Sequence, residues 1–446
     1  MRAFVRNQRR VLLAVEGVLA CLIVVSIGWT AYKLLDTGYL PQPFFDDPTD
    51  TFGDWFNPAY YANHGGAYAS DGYASVYPPL SYVFLRLFSV KSCYGGGIAW
   101  ARNCDVLGRI TLLTFFALNI GLVFRCYWRD QRWRAIPRTI AVTLGLPMLY
   151  ALERGNLIIV CFTCFAVGFG PVLRSAAGRW LSLALAINFK PYLLLSAVPL
   201  ACRRRWRALE GIGVATLLLY LVTLAIEGSG TPLQLLANTI NFSDVTAGEY
   251  WNDIYYGTTF VSMAEFLNSN WPILTFTGSA TAEFWGRALP LVVHGGQLVV
   301  AFTLVAAWWR PEIASNRRLA TLAVATVLTS TEPSGYAEVF LLFLVFFEPW
   351  RGPACIVALV SAYFLAIAAD YVMVPFVFHN TTAWLSNRPV AAAYGLSIGQ
   401  LVRPALILTI QLSLAGSTLA AFVRVIAFAQ RARRSQVGGE PMTAGV

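Results

Sequence analysis

The stretch VLLAVEGVLACLIVVSIGWTAYKLL, residues Val11–Leu35, decides the fold class of this chain. As a helix it would rise about 1.5 Å per residue, enough to cross roughly 30 Å of bilayer hydrocarbon. The preceding MRAFVRNQRR resembles the basic start of a signal peptide. The apolar run is too long for a signal peptide, however, and no small-residue cleavage site follows it. We therefore expect a first transmembrane helix that is retained.

The composition of the whole chain supports a membrane protein. Of its 446 residues, 57% are hydrophobic and only 13% are charged, whereas soluble domains carry about 25% charged residues. The net charge of +10 is explained by arginines in short turns between apolar runs, the pattern of cytoplasmic loops. Nucleic-acid binding would need one basic patch interleaved with aromatic residues, so no nucleic-acid partner is expected.

The charge distribution predicts which side of the membrane each loop faces. Arginine-rich turns are expected inside, and acidic loops outside. The arginine-rich turns are Arg2–Arg10, Arg125–Arg138, Arg174–Arg179, Arg203–Arg207, Arg310–Arg318 and Arg424–Arg434. The acidic loops are a first outer loop, 36–104, and a second, 227–285. The sequence thus predicts an all-α polytopic domain over 1–434 with about 11–13 transmembrane helices, followed by a disordered cytoplasmic tail, 435–446.

Several segments in this scheme need individual interpretation. Pro79–Phe88 is too short to cross and is predicted to be a juxtamembrane or re-entrant helix in the first outer loop. The run 181–202 is interrupted at Lys190-Pro191, and proline disfavours helix at its own position and the one before. We expect two short helices meeting there, with one straight helix as the alternative. Cys93 and Cys104 bracket an outer glycine-rich segment, where a disulfide is plausible. The remaining predicted spans are 106–124, 136–152, 157–173, 209–226, 286–308, 319–331, 336–349, 354–374 and 402–423.

Residues able to do chemistry gather on the predicted outer face. Asp54, beside two aromatic residues, is a candidate general base, with Asp46, Asp47 and Asp50 as competitors. Lys190 is an intramembrane cation, which is costly and so suggests function, unless it snorkels to the interface.

Other polar side chains are expected on the same face. Arg154 and Asn156 lie between two spans, and arginine matches phosphate geometry, although Arg154 could instead pair with Glu153. Glu332 and Glu338 could bind a sugar hydroxyl or simply mark a loop. His64, His294 and His379 are scattered singly, so no metal site is expected. The partner that fits this face is an amphiphile with an anionic phosphate and a polar head.

Five motifs follow one another along the chain: Asp54 with Tyr60-Tyr61, Tyr77-Pro78-Pro79-Leu80, Arg154-Gly155-Asn156, Lys190-Pro191, and Thr331-Glu332-Pro333-Ser334-Gly335-Tyr336. In this order they resemble the GT-C class of integral membrane glycosyltransferases, closest to glycosyltransferase family 87, the polyprenyl-phosphate-mannose-dependent mannosyltransferases. The chain departs from the family pattern at Glu153-Arg154, Glu332-Pro333 and Ala337-Glu338, which leaves the acceptor and the sugar open.

The resemblance implies a long first outer loop with short juxtamembrane helices, and Asp54 as the catalytic base. Lys190 and Arg154 would bind the donor phosphate, and Asn156, Tyr77, Glu332 and Glu338 the substrates. The expected reaction is inverting transfer of a hexose such as mannose from a polyprenyl-phosphate-sugar donor to an envelope glycan or glycolipid acceptor. No nucleotide is needed, and a divalent metal is compatible with the pattern but not required. The expected location is the cell membrane, with the site on the extracytoplasmic face.

Two other functions are compatible with the sequence. Broken helices and intramembrane charges also occur in transporters, so the alternative is a transporter or flippase of a lipid-linked or small polar solute. No internal repeat supports it, and the polar residues favour one face over the midplane. A structural subunit of an envelope assembly is the third interpretation, and it predicts no dependence on Asp54.

Overall fold

A computed structural model of the protein describes residues 2–44, 48–69, 73–246, 257–268, 278–330 and 334–437. These residues form a predominantly helical bundle. The first helices are α1 (Arg2–Thr37), α2 (Gly53–His64), α3 (Pro79–Leu87), α4 (Ile98–Cys104), α5 (Val106–Gln131), α6 (Ala135–Thr143), α7 (Leu146–Arg154), α8 (Ile158–Phe169) and α9 (Ala176–Phe189). The later helices are α10 (Val198–Cys202), α11 (Trp206–Glu227), α12 (Pro232–Thr246), α13 (Phe260–Asn268), α14 (Ser279–Trp309), α15 (Asn316–Ser330), α16 (Glu338–Val345), α17 (Pro353–Leu365) and α18 (Gly399–Val437).

The described residues include five helical runs that are long and apolar enough to cross a membrane, one of which joins α5 and α6 through the 3₁₀ turn Arg132–Arg134. They are Val11–Thr37, Val106–Thr143, Trp206–Glu227, Ser279–Trp309 and Gly399–Arg431. Most of each run is not buried within the protein, as expected of surfaces in contact with lipid. The prediction of a polytopic helical membrane protein is confirmed at this level, and 11–13 crossings stay a prediction.

Other predicted spans are shorter helices in the structure. The predicted span 336–349 contains α16, Glu338–Val345, and every residue of this helix is buried. Likewise 354–374 contains α17, which ends at Leu365. A run that faces protein on all sides is as apolar as one that faces lipid, so composition alone did not separate the two cases.

The structure supports the predicted break at Lys190-Pro191 and the predicted short helix at Pro79–Phe88. Helix α9 ends at Phe189, Lys190 has extended backbone angles, and a 3₁₀ segment begins at Pro191. The alternative of one straight helix is therefore wrong. Helix α3 has only nine residues, about 14 Å of rise, and packs against α2 and α11. It is too short to cross the membrane as a helix.

A β-hairpin is the exception to the all-α prediction within the described residues. Strands β1 (Val372–Ala383) and β2 (Arg388–Ser397) pair antiparallel, with Thr381 opposite Val390. The sequence predicts only a connecting loop between the spans 354–374 and 402–423. The hairpin turn includes Asn387 with a positive φ of 52°, a conformation that asparagine tolerates better than most residues.

The predicted disulfide between Cys93 and Cys104 is present. It joins the 3₁₀ turn Lys91–Gly96 to α4 within the first outer loop. Its Cα atoms are 5.4 Å apart, within the usual range for a disulfide. The bond closes the segment that follows α3.

A buried ionic network ties α1 to the rest of the bundle. Glu16 in α1 is fully buried and accepts hydrogen bonds from Arg138 Nη2 at 3.0 Å and Nε at 3.2 Å. It also accepts from the Tyr363 hydroxyl at 3.1 Å and from Trp350 Nε1. Arg134 Nε lies 3.4 Å from the same carboxylate. A buried carboxylate is stable only when paired in this way.

Replacing Glu16 with glutamine should therefore destabilise the fold. The change leaves two buried arginines without their counter-charge, which typically costs about 3–5 kcal/mol. We expect a clearly lower thermal unfolding midpoint in detergent. The matched control is Glu283→Gln, because the Glu283–Arg287 pair is largely exposed and such pairs contribute at most about 1 kcal/mol. Equal midpoints for the two variants would contradict the proposed stabilising role of Glu16.

The topology can be tested with introduced cysteines. In a background carrying Cys21→Ser, Gln131→Cys should react with a membrane-impermeant maleimide only after the cells are opened, since Gln131 is the last residue of α5 and lies in an arginine-rich turn. Asn241→Cys, which is exposed on α12, should react in intact cells. Labelling of Gln131→Cys in intact cells would reverse the assignment of sides.

Candidate functional site

The turn Glu153-Arg154-Gly155-Asn156 forms the base of the site. Helix α7 ends at Arg154, and Gly155 takes a left-handed conformation with φ 66°. A Cβ on Gly155 would lie 2.9 Å from the Cα of Phe52, so only glycine fits without a shift. The Phe52 amide donates to the Glu153 carbonyl at 2.7 Å. The first outer loop is thus held backbone to backbone against this turn.

This contact places Asp54 between two donors from the turn. Arg154 Nη2 donates to Asp54 Oδ1 at 2.9 Å, and Asn156 Nδ2 donates to Oδ2 at 2.7 Å. Asp54 lies in the first turn of α2, where the helix dipole favours a negative charge. Its side chain keeps 21% exposure. The carboxylate is therefore fixed in orientation but still accessible to a ligand.

Asp50 is a second carboxylate on the same arginine. Arg154 Nη2 donates to Asp50 Oδ2 at 2.7 Å. Burial raises the pKa of Asp50, and the nearby Arg154 only partly offsets this effect. A Cβ on Gly53 would meet the Asp50 carboxylate, so a larger residue at this position would force that side chain to move. The competing candidates Asp46 and Asp47 lie outside the described residues.

The break after α9 delivers Lys190 to the same region. Its ammonium group lies 4.4 Å from the ring centroid of Tyr77 and 5.6 Å from that of Tyr336. Asn156 Nδ2 also donates to the Tyr77 hydroxyl at 3.4 Å, which joins the lysine half of the site to the Asp54 half. Lys190 is 8% exposed, and within the described ranges no carboxylate forms an ion pair with it. Its charge is held mainly by aromatic faces.

The structure thus brings together most of the predicted site residues. Asp54, Arg154, Asn156, Tyr77 and Lys190 form one cluster. Glu332 lies outside the described residues. Glu338 is fully buried in the first turn of α16, so it belongs to the protein interior rather than to an exposed loop.

Tyr336 and Asp50 have places in the cluster that the sequence did not predict. Tyr336 stands in a motif quoted for the resemblance, but only the fold shows its ring near Lys190. Asp50 was a competitor to Asp54, whereas the structure places both carboxylates on Arg154. Asp50 and Asp54 lie close together in the sequence with Gly53 between them, and this closeness could have indicated that Asp50 belongs to the same site.

The β-hairpin braces the first outer loop from the far side. Trp384 in its turn donates through its amide to the Pro48 carbonyl at 2.8 Å and through Nε1 to Asn103 Oδ1 at 2.9 Å. Its ring packs edge to face on Phe52, with centroids 5.4 Å apart. Phe52 is thus fixed by the turn after α7 on one side and by the hairpin on the other. The sequence did not predict this brace, because local patterns indicated a loop where the hairpin lies.

The cluster offers a carboxylate, an amide, tyrosine hydroxyls and a cation in one partly accessible place. No group of three or more histidine, cysteine or acidic side chains in the part of the chain that the structure describes could hold a metal ion.

Comparison of the chain with protein-family models, with curated proteins and with solved structures finds no match.

Proposed function

We propose that the protein is a membrane glycosyltransferase of the GT-C type. It transfers a sugar from a polyprenyl-phosphate-sugar donor to a glycan or glycolipid acceptor at the extracytoplasmic face of the membrane. The observation that carries this proposal is an oriented, accessible carboxylate, Asp54, in one cluster with the buried cation Lys190. In such a transfer, the carboxylate would accept the proton of the acceptor hydroxyl, and the cation would stabilise the anionic leaving group.

Asp54 is proposed as the general base. The acceptor hydroxyl oxygen attacks the anomeric carbon, the bond from that carbon to the phosphate oxygen breaks, and its electron pair leaves with the phosphate. The hydroxyl proton passes to Asp54. Because Arg154 and Asn156 each hold one carboxylate oxygen, the remaining lone pairs have a fixed direction. Such positioning is what makes a general base effective.

Lys190 is proposed to stabilise the departing phosphate. The rings of Tyr77 and Tyr336 contact the Lys190 ammonium group through their faces, so its N–H groups can still donate to a phosphate. The site also excludes most water. A cation placed where negative charge develops is worth more there than in bulk solvent. The leaving group needs no protonation, so no separate general acid is required.

Arg154 has a different proposed role from the one expected from sequence. We expected it to bind the donor phosphate, but Nη2 contacts the carboxylates of Asp50 and Asp54. We therefore propose that Arg154 orients Asp54 and that phosphate binding rests mainly with Lys190. Asp50 shares the arginine and limits its freedom to turn toward a ligand.

Replacing Asp54 with asparagine should abolish sugar transfer while the protein stays folded. Loss of a general base typically lowers the rate by about 10²- to 10⁴-fold, and asparagine keeps the side-chain size. The measurement is product analysis with purified protein and a panel of radiolabelled polyprenyl-phosphate sugars. Asp36→Asn, an exposed change in the first outer loop, is the matched control and should be fully active.

Two outcomes would count against the proposed function. Near-normal turnover by Asp54→Asn would remove Asp54 as the base, and Asp50, Asp46 and Asp47 would be tested next. If the wild type transferred no sugar from any donor, the transporter or flippase function would become the better explanation.

Replacing Lys190 with alanine should weaken donor binding as well as turnover. The donor phosphate is charged in both the ground and the transition state, so its contact with the lysine contributes to affinity. A hydrogen bond to a charged group is worth about 1.5–3 kcal/mol, so KM for the donor should rise about 10-fold or more. Lys33→Ala is the control, because Lys33 also lies over an aromatic ring, Trp29, at 5.1 Å. An unchanged donor KM for Lys190→Ala would contradict the phosphate role.

A further inference from the structure

Helix α12, Pro232–Thr246, has two unlike faces. Leu233, Leu236 and Ile240 are 76%, 58% and 53% exposed, and their spacing places them in one stripe along the helix. The opposite face carries Leu235, which packs against the main core, and Asn238, which is buried. The described residues give the apolar stripe no protein neighbour that covers it.

The position of α12 is set by the end of a lipid-facing helix. Helix α11 exposes large apolar residues along its length, among them Leu218 and Ile226. It ends at Glu227, whose carboxylate pairs with Arg86 of the first outer loop at 2.6 Å. The segment 228–231 can span at most about 14 Å. Helix α12 therefore begins at the membrane surface, on the side that carries Asp54.

The connecting segment is pinned against the protein. The Tyr220 hydroxyl donates to the Gly230 carbonyl at 2.5 Å. A Cβ on Gly230 would lie 2.5 Å from the ring of Tyr68, so the backbone touches that ring closely. This contact fixes the direction in which α12 leaves the span.

The inner face of α12 supports the segment that carries Tyr77. Asn238 Nδ2 donates to the Ser75 carbonyl at 3.0 Å. Ser75 Oγ accepts from the Tyr77 amide at 3.0 Å, and the Tyr68 hydroxyl donates to the Tyr77 carbonyl at 2.8 Å. The backbone of Tyr77 is thus held between α12 and Tyr68, while its ring faces Lys190.

We propose that α12 is an interfacial helix whose stripe of Leu233, Leu236 and Ile240 inserts among the acyl chains of the outer leaflet. Residues 232–241 contain no charged side chain, so the exposed face suits hydrocarbon rather than a charged protein surface. Along the chain, the stripe follows the exposed apolar residues of α11 after only the short segment 228–231. Lipid is therefore the occupant, and through Asn238 the membrane surface supports the position of Tyr77.

The test is depth-dependent quenching in the full-length protein. Leu236→Cys and Thr239→Cys, each in a Cys21→Ser background, are labelled with bimane and reconstituted in phosphatidylcholine vesicles. Thr239 is exposed on the same helix but lies outside the stripe, so it is the matched control. With brominated acyl chains, the Leu236 label should lose most of its emission, whereas the Thr239 label should lose little and should instead be quenched by aqueous iodide.

Three results would overturn the proposal. Quenching of the Leu236 label by iodide would place the stripe in water. Protection from both quenchers would mean that a second copy or another protein covers it. Equal lipid quenching at both positions would mean that α12 has no lipid-facing side. If Leu236→Cys does not fold, Leu233→Cys tests the same stripe. The readout is independent of sugar transfer, so its outcome does not depend on the proposed function.

Discussion

The contact between the Phe52 backbone and the turn at Gly155 is the constraint on which the site depends. It brings the first outer loop, which is distant in sequence, against the start of α8. Gly155 allows the approach because it has no side chain and tolerates a left-handed backbone, the combination that favours glycine. Arg154 and Asn156 flank this glycine, so the same turn that receives the loop also supplies both donors to Asp54.

The charged side chains of the bundle are stabilised in two different ways. Glu16 is enclosed by arginine, tyrosine and tryptophan donors, as a charge that only stabilises structure must be. Asp54 has two donors yet keeps exposure, and Lys190 rests against aromatic faces with no ion-paired carboxylate among the described residues. A charge that is only partly neutralised by its neighbours costs stability unless a ligand makes use of it. This difference separates the site from the structural network.

Elements outside the cluster hold it in place. The hairpin turn packs on Phe52 through Trp384, and α12 supports the Tyr77 segment through Asn238. The Cys93–Cys104 disulfide closes another part of the first outer loop. A loop on a membrane protein is a poor support for catalysis unless other segments restrain it. Here, restraints reach the loop from both the C-terminal and the central parts of the chain.

The sequence by itself determined that most of the protein lies in a membrane and which polar residues are candidates for the site. Long apolar runs and arginine-rich turns follow from the energetics of burying backbone and charge in lipid, which act locally along the chain. The helix break at Lys190 was also predictable, because proline acts on its own position and the one before it. The glycine at position 155 and the spacing of Cys93 and Cys104 are likewise local features that can be read from the sequence.

Only the tertiary structure decided which polar residues share a site. Three contacts join segments that are far apart in the chain. Asp50 and Asp54 both pair with Arg154, the ring of Tyr336 lies near Lys190, and the hairpin packs on Phe52. Apolar composition also could not separate the buried helix Glu338–Val345 from a lipid-facing span, because lipid and protein interior select the same side chains. The physical reason is that such contacts depend on how helices pack, which no local pattern encodes.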